Sequence, residues 1–207
     1  MKISVIIPTF NREEHLNNCL STLLTQTKKP FEILVIDNSD NSYAEKLINN
    51  LESKFKKQNV FLYSIKNPIN SGAIARNLGA SKAKGDLIAF LDDDVLLDSN
   101  YYEEIEKVFL ERPDALGVHG YNKLVNNAYQ EMKNSFIYSL LDKFVKFFMI
   151  SSYYEENKSR VLPSLCVTNP IPTSFHSIVQ SEWVSTCAGV FSKKVFPKFQ
   201  FDNQFMK

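Results

Sequence analysis

The sequence predicts an α/β fold: an open sheet with helices on its faces. Short, uninterrupted apolar runs at 5–7, 33–36 and 87–91 have the character of strands covered on both sides. Stretches with apolar residues at helical spacing lie between such runs. Each of the three runs also closes on a polar cluster, at 8–11, 37–40 and 92–94. In open α/β sheets ligands collect beyond the carboxyl ends of the strands, so these clusters predict one cleft.

Each element follows from the residues in order. Val5, Ile6 and Ile7 form the first strand, which stops at Pro8 and Thr9. Leu16, Leu20, Leu23 and Leu24 mark the first helix, with Asn11 expected as its N-cap and Pro30 beyond its end. A second strand at 33–36 leads to a helix marked by Ala44, Leu47, Ile48, Leu51 and Phe55. Alternation from Val60 to Ile65 makes a third strand. A glycine-entered helix starts near Asn70 and runs to about Lys84, and a fourth strand at 87–91 ends in Asp92, Asp93 and Asp94. A helix from about Asp98 to Leu110 and a strand from Leu116 to His119 complete the sheet. Beyond Tyr121 the periodicity weakens. An aromatic-rich helix is expected near 136–150, then a loop-rich stretch with Pro163, Pro170 and Pro172, then a strand from Trp183 to Phe191.

A chain of 207 residues is long enough for one sizeable core. With 24 lysines and arginines against 23 aspartates and glutamates, the net charge of +1 offers no electrostatic footprint for nucleic acid. Cys19, Cys166 and Cys187 are an odd number without CxxC spacing, which speaks against a disulfide framework or a zinc site and for the cytoplasm. No stretch is long and apolar enough to read as a membrane span.

The three adjacent aspartates are the most informative residues. Neighbouring carboxylates repel one another unless a cation or hydrogen-bond donors neutralise them. Mg²⁺ or Mn²⁺ is commonly held by one or two carboxylates together with ligand phosphates, which suits a nucleoside diphosphate. A solvated acidic turn capping the next helix is the plainer alternative. The histidines, His15, His119 and His176, have no serine or cysteine at motif spacing.

Four stretches together resemble the inverting family-two nucleotide-sugar glycosyltransferases of the GT-A fold. They are VIIPTFN from Val5 to Asn11, EILVIDNS from Glu32 to Ser39, NSGAIARNLG from Asn70 to Gly79, and FLDDD from Phe90 to Asp94. The resemblance implies a Rossmann-like, mostly parallel sheet with helices on both faces. It divides the chain into a donor-binding half, 1–120, and an acceptor-side half of the same domain, 121–207. Pro8 and Thr9 would line the nucleotide pocket, Asp37, expected to be an exposed strand-end carboxylate, would accept from the base, and Arg76 would face the nucleotide. Asp92 and Asp93 would hold the ribose and help place the metal, with Asp94 ligating it as the last aspartate of the family's Asp-x-Asp. Trp183, Thr186 and Gly189 match the acceptor-side strand more loosely, and FDNQF from Phe201 to Phe205 a following turn.

The implied reaction is a single displacement with inversion, from a UDP, dTDP or GDP sugar to a glycan or lipid-linked acceptor hydroxyl. In the family the catalytic base lies a short way after the Phe-Asp turn. The sequence ends at Lys207 before such a motif, so the acceptor half is expected to be incomplete and no base is assigned. A nucleotide-sugar-binding module without turnover is the alternative. A nucleotidyltransferase is disfavoured because the first loop lacks a glycine-rich, arginine-bearing phosphate cradle. The wide aromatic face at 136–150 suits burial against the sheet, a homo-oligomer contact, or peripheral contact with the cytoplasmic membrane face.

Overall fold

A computed structural model describes residues 1–120 and 184–204. Residues 1–120 and 185–204 belong to one compact unit, and residues 121–184 to a second. The aromatic helix expected at 136–150, the proline-rich stretch and Trp183 lie outside the described residues.

The apolar runs become β1 (Ile3–Thr9), β2 (Glu32–Asp37) and β4 (Leu87–Phe90), and the alternating stretch becomes β3 (Phe61–Lys66). Between them run α1 (Glu13–Leu24), α2 (Tyr43–Lys56) and α3 (Gly72–Lys82), with α4 (Tyr101–Glu111) following β4. Two short strands, β5 (Gly117–Val118) and β6 (Val190–Ser192), complete a six-stranded sheet of order β3-β2-β1-β4-β6-β5. β1 pairs in parallel with both β2 and β4, and β2 with β3, whereas β6 is antiparallel to β4 and to β5. This is the mostly parallel α/β sheet of the expected GT-A class.

Both faces of the central strands are dry, which explains why their runs are continuous rather than alternating. Ile3, Val5 and Ile7 share one core with Ile33, Val35, Leu20 and Leu23 of α1, Leu47 and Ile48 of α2, and Ile105 and Phe109 of α4. Ile6 and Ile36 turn to the opposite core, with Ala75 of α3, Ile88 and Phe90, against which Phe191, Phe196 and Phe201 pack. Gly79 lets α3 approach the sheet, since a Cβ there would stand 2.4 Å from Ile6 Cγ2.

Four local expectations are corrected. Asn11 does not cap α1. It takes φ 53°, and Arg12 precedes the helix without a capping side chain. α4 begins at Tyr101 rather than Asp98. The last sheet strand is Val190–Ser192, not Trp183 to Phe191. Residues 185–189 curl so tightly that a Cβ on Gly189 would stand within 2.1 Å of the Ser185 carbonyl oxygen, which no extended strand permits. The Leu116–His119 strand shortens to two residues and joins the sheet at its edge, antiparallel to β6.

Candidate functional site

β1 has β2 on one side and β4 on the other, so the chain winds outward from β1 and returns to start again beside it. The crevice beyond the carboxyl ends of β1 and β4 is therefore the topological switch point. Thr9 ends β1, Asp37 ends β2, and the aspartates follow β4 by two to four residues. The sheet's register brings these three strand ends together although they are far apart in sequence.

Thr9 Oγ1 donates to Asp93 Oδ2 at 2.7 Å across the switch point. Asp93 is only 5% exposed, and burial pushes its carboxyl above the ordinary carboxylate range, against the Thr9 hydroxyl and the Arg12 guanidinium, which favour the ionised form. Arg12 Nη1 donates to Asp93 Oδ1 at 3.3 Å and to Asp94 Oδ2 at 2.9 Å. Asp92 is held from the other side by Arg76 Nη2 at 2.6 Å, while its backbone N–H donates to the Cys187 carbonyl at 2.9 Å. Three carboxylates thus meet two guanidiniums, leaving one formal negative charge at the mouth.

Asp37 is buried, not the exposed carboxylate expected. Its Oδ1 accepts from the Ser39 N–H at 2.9 Å and its Oδ2 from Lys66 Nζ at 3.1 Å. Lys66 also donates to the carbonyls of Ser39 and Asn41, so Asp37 is part of what shapes the loop after β2. A carboxylate has about four acceptor positions, so two remain unused on Asp37, although only 3% of its side chain is exposed. Asn67 adds to the same loop by donating to Asn38 Oδ1 at 2.6 Å.

Arg76 lies on α3, whose N-cap Ser71 accepts from the Ile74 N–H. Its guanidinium stands over the Phe201 ring with 5.9 Å to the ring centre, and its Nε is buried without a hydrogen-bond partner. The adjacent Asn77 donates to the Phe201 carbonyl at 2.8 Å and accepts from the Phe201 N–H at 2.9 Å. Pro8 is half-buried beside Thr9. Thr186 and Gly189 lie in the turn before β6, where the Gly189 carbonyl accepts from the Phe90 N–H at 2.9 Å. Arg12, Lys66 and Asn67 were missed from sequence. The first loop has no glycine-rich phosphate cradle, but it carries an arginine aimed at the aspartates.

Among the described residues no three or more His, Cys, Asp or Glu side chains converge into a closed metal cage. A magnesium-type ion bound with a diphosphate needs only one or two carboxylates. Asp94, with 47% of its side chain exposed, and Asp92, with 29%, offer that donor set at the mouth, and Asp93 is too enclosed to join it. The residues present therefore fit such an ion.

An open α/β sheet whose polar strand ends converge at the switch point belongs to the class of folds that bind their ligands in that crevice. The family model "Glycosyl transferase family 2" matches residues 4–168, and the chain belongs to that family. An uncharacterized glycosyltransferase of Haemophilus influenzae is 36% identical over 103 residues, 49% of this chain and 40% of the relative. The poly(ribitol-phosphate) beta-N-acetylglucosaminyltransferase TarP of Staphylococcus aureus is 34% identical over 140 residues, 64% of this chain and 42% of TarP. The chain thus spans about two fifths of the length of these curated relatives. The mannosyltransferase PcManGT of Pyrobaculum calidifontis, solved with GDP-Man and Mn²⁺, shares the fold. Its TM-score is 0.51 at 18% identity, over 59% of this chain and 36% of that one.

Proposed function

We propose that this chain binds a nucleoside-diphosphate sugar of the UDP, dTDP or GDP type at the β1–β4 switch point. Its sugar passes to the hydroxyl of a glycan or lipid-linked acceptor, with inversion and with a divalent cation. The observation that carries the proposal is the convergence of Thr9, Asp37, Arg76 and the three aspartates at one sheet edge in a family-two chain.

The residues divide the work by their exposure and partners. Asp37 is fixed by Ser39 and Lys66 with acceptor capacity to spare, and it receives a base N–H. Pro8 and Thr9 form the wall of that pocket, and the Thr9–Asp93 hydrogen bond holds the aspartate loop against β1. Arg76 orients Asp92 toward the ribose and the diphosphate. Asp94, the most exposed of the three, holds Mg²⁺ or Mn²⁺ with Asp92 beside it. When bound, the cation offsets the charge that develops on the departing diphosphate. Thr186 and Gly189, next to Asp92 through the Cys187 carbonyl, border the acceptor side. The odd cysteine count supports action in the cytoplasm.

Calorimetric titration of UDP, GDP and dTDP, each with Mn²⁺ and with EDTA, tests the assignment. One nucleotide binds with Mn²⁺ and loses most of its affinity with EDTA or in Asp94→Ala. Equal affinity under all three conditions, in a folded variant, overturns the metal assignment.

A further inference from the structure

The acidic run is neutralised by two arginines that are held differently. Arg76 is only 19% exposed and is fixed on Asp92 and over Phe201. The Arg12 side chain is 53% exposed, and among the described residues its guanidinium hydrogen-bonds only to Asp93 and Asp94. One nitrogen of Arg12 spans an oxygen from each of two consecutive carboxylates, and the Asp94 oxygen it takes is one that the divalent cation would need.

We propose that Arg12 is a built-in counter-ion that occupies Asp94 when no metal is bound and that a divalent cation must displace, so that Arg12 sets the metal affinity of the site. The proposal rests on the metal reading given above and goes beyond it by naming what the metal competes with. The two ends of the bridge are unequal. Asp93 is buried and tied to Thr9, so its ion pair with Arg12 compensates a desolvated charge and persists. Asp94 is about half exposed and paired with an equally exposed guanidinium, the kind of ion pair that water and salt loosen easily. Arg12 can therefore let go of Asp94 while keeping Asp93. Its position at the mouth of the first loop, immediately before α1, permits a side-chain swing without moving a strand.

Mn²⁺ titration of the full chain without nucleotide, followed by the resonance signal of free Mn²⁺, tests this on wild type, Arg12→Gln, Arg12→Lys and Asp94→Asn. Arg12→Gln binds Mn²⁺ about ten-fold more tightly than wild type, the scale of removing one unit charge a few ångströms away in a wet site. Arg12→Lys falls between the two, since an ammonium keeps the charge but not the two-carboxylate span. The gap between wild type and Arg12→Gln narrows as sodium chloride is raised. Thermal unfolding with and without Mn²⁺ supplies a second readout: Mn²⁺ raises the melting temperature of Arg12→Gln more than that of wild type. Equal or weaker Mn²⁺ affinity in Arg12→Gln and Arg12→Lys, with binding still lost in Asp94→Asn, overturns this inference and leaves the metal site standing. Absence of Mn²⁺ binding in every protein overturns this inference, while the metal reading, in which the ion binds with a diphosphate, is decided by the nucleotide titration above.

Discussion

Asp37 shows how one side chain serves structure and ligand together. Its carboxylate satisfies the Ser39 N–H and draws Lys66 over the loop, so it cannot be removed as if it were a surface charge. Asp37→Ala leaves the Ser39 N–H without its acceptor and should lower stability by about 1–2 kcal/mol, read from urea unfolding. Half of Lys66 is in water, so its lost ion pair adds little. The same variant should lose a further ~1.5–3 kcal/mol of nucleotide affinity, measured by calorimetry on fully folded protein. A stability loss with unchanged affinity would confine Asp37 to shaping the loop.

The placement of α3 depends on a single missing methyl. Gly79 is buried where a Cβ would lie 2.4 Å from Ile6 Cγ2, and Ile6 is wholly enclosed between strands and helix. Alanine in mid-helix gains up to ~1 kcal/mol of propensity over glycine. Overpacking a closed core costs about 1–3 kcal/mol, and here the loss should win. Gly79→Ala should therefore unfold at lower urea and weaken nucleotide binding, because α3 carries Arg76 and Asn77 against Asp92 and Phe201. A variant as stable as wild type would show that α3 can slide without cost.

Tyr101 joins distant parts of the described unit. Its hydroxyl donates to the Ala188 carbonyl at 2.5 Å and accepts from the Gly120 N–H at 3.0 Å. Burial pushes its phenol up to about 12, the Gly120 N–H working the other way, and full burial pushes the neighbouring Tyr102 well above its usual value. Both phenols are thus kept neutral in the fold. The stability they contribute is complete below pH 10, where the unfolded chain's tyrosines are neutral too, and is lost as the pH rises toward the folded values. Urea unfolding from pH 9 to 12 should show stability falling by up to about 1.4 kcal/mol per pH unit for each phenol. Tyr101→Phe should remove one of these two contributions and cost roughly 1–3 kcal/mol at neutral pH through its two stranded partners. An unchanged alkaline slope in Tyr101→Phe would mean that Tyr101 is not held neutral by the fold.

The periodic part of the fold was legible in the chain because local burial writes itself as pattern. Strands dry on both faces must be continuously apolar, a strand with one wet face must alternate as β3 does, and helices covered on one face must repeat near every fourth residue, so β1 to β4 and α1 to α4 are legible from pattern alone. The polar ends of those strands located the cleft for the same reason. Pairing was not legible. Nothing in the local pattern around Val190 says that it will enter the sheet antiparallel between β4 and β5, because that choice depends on the curl closed at Gly189 and on the edge that β4 leaves free. Nor does the sequence show that Asp37 is buried under Lys66, or that Arg12 spans two aspartates more than 80 residues away. Charges find their partners through the whole folded geometry, and only the tertiary structure brings them within a few ångströms of one another.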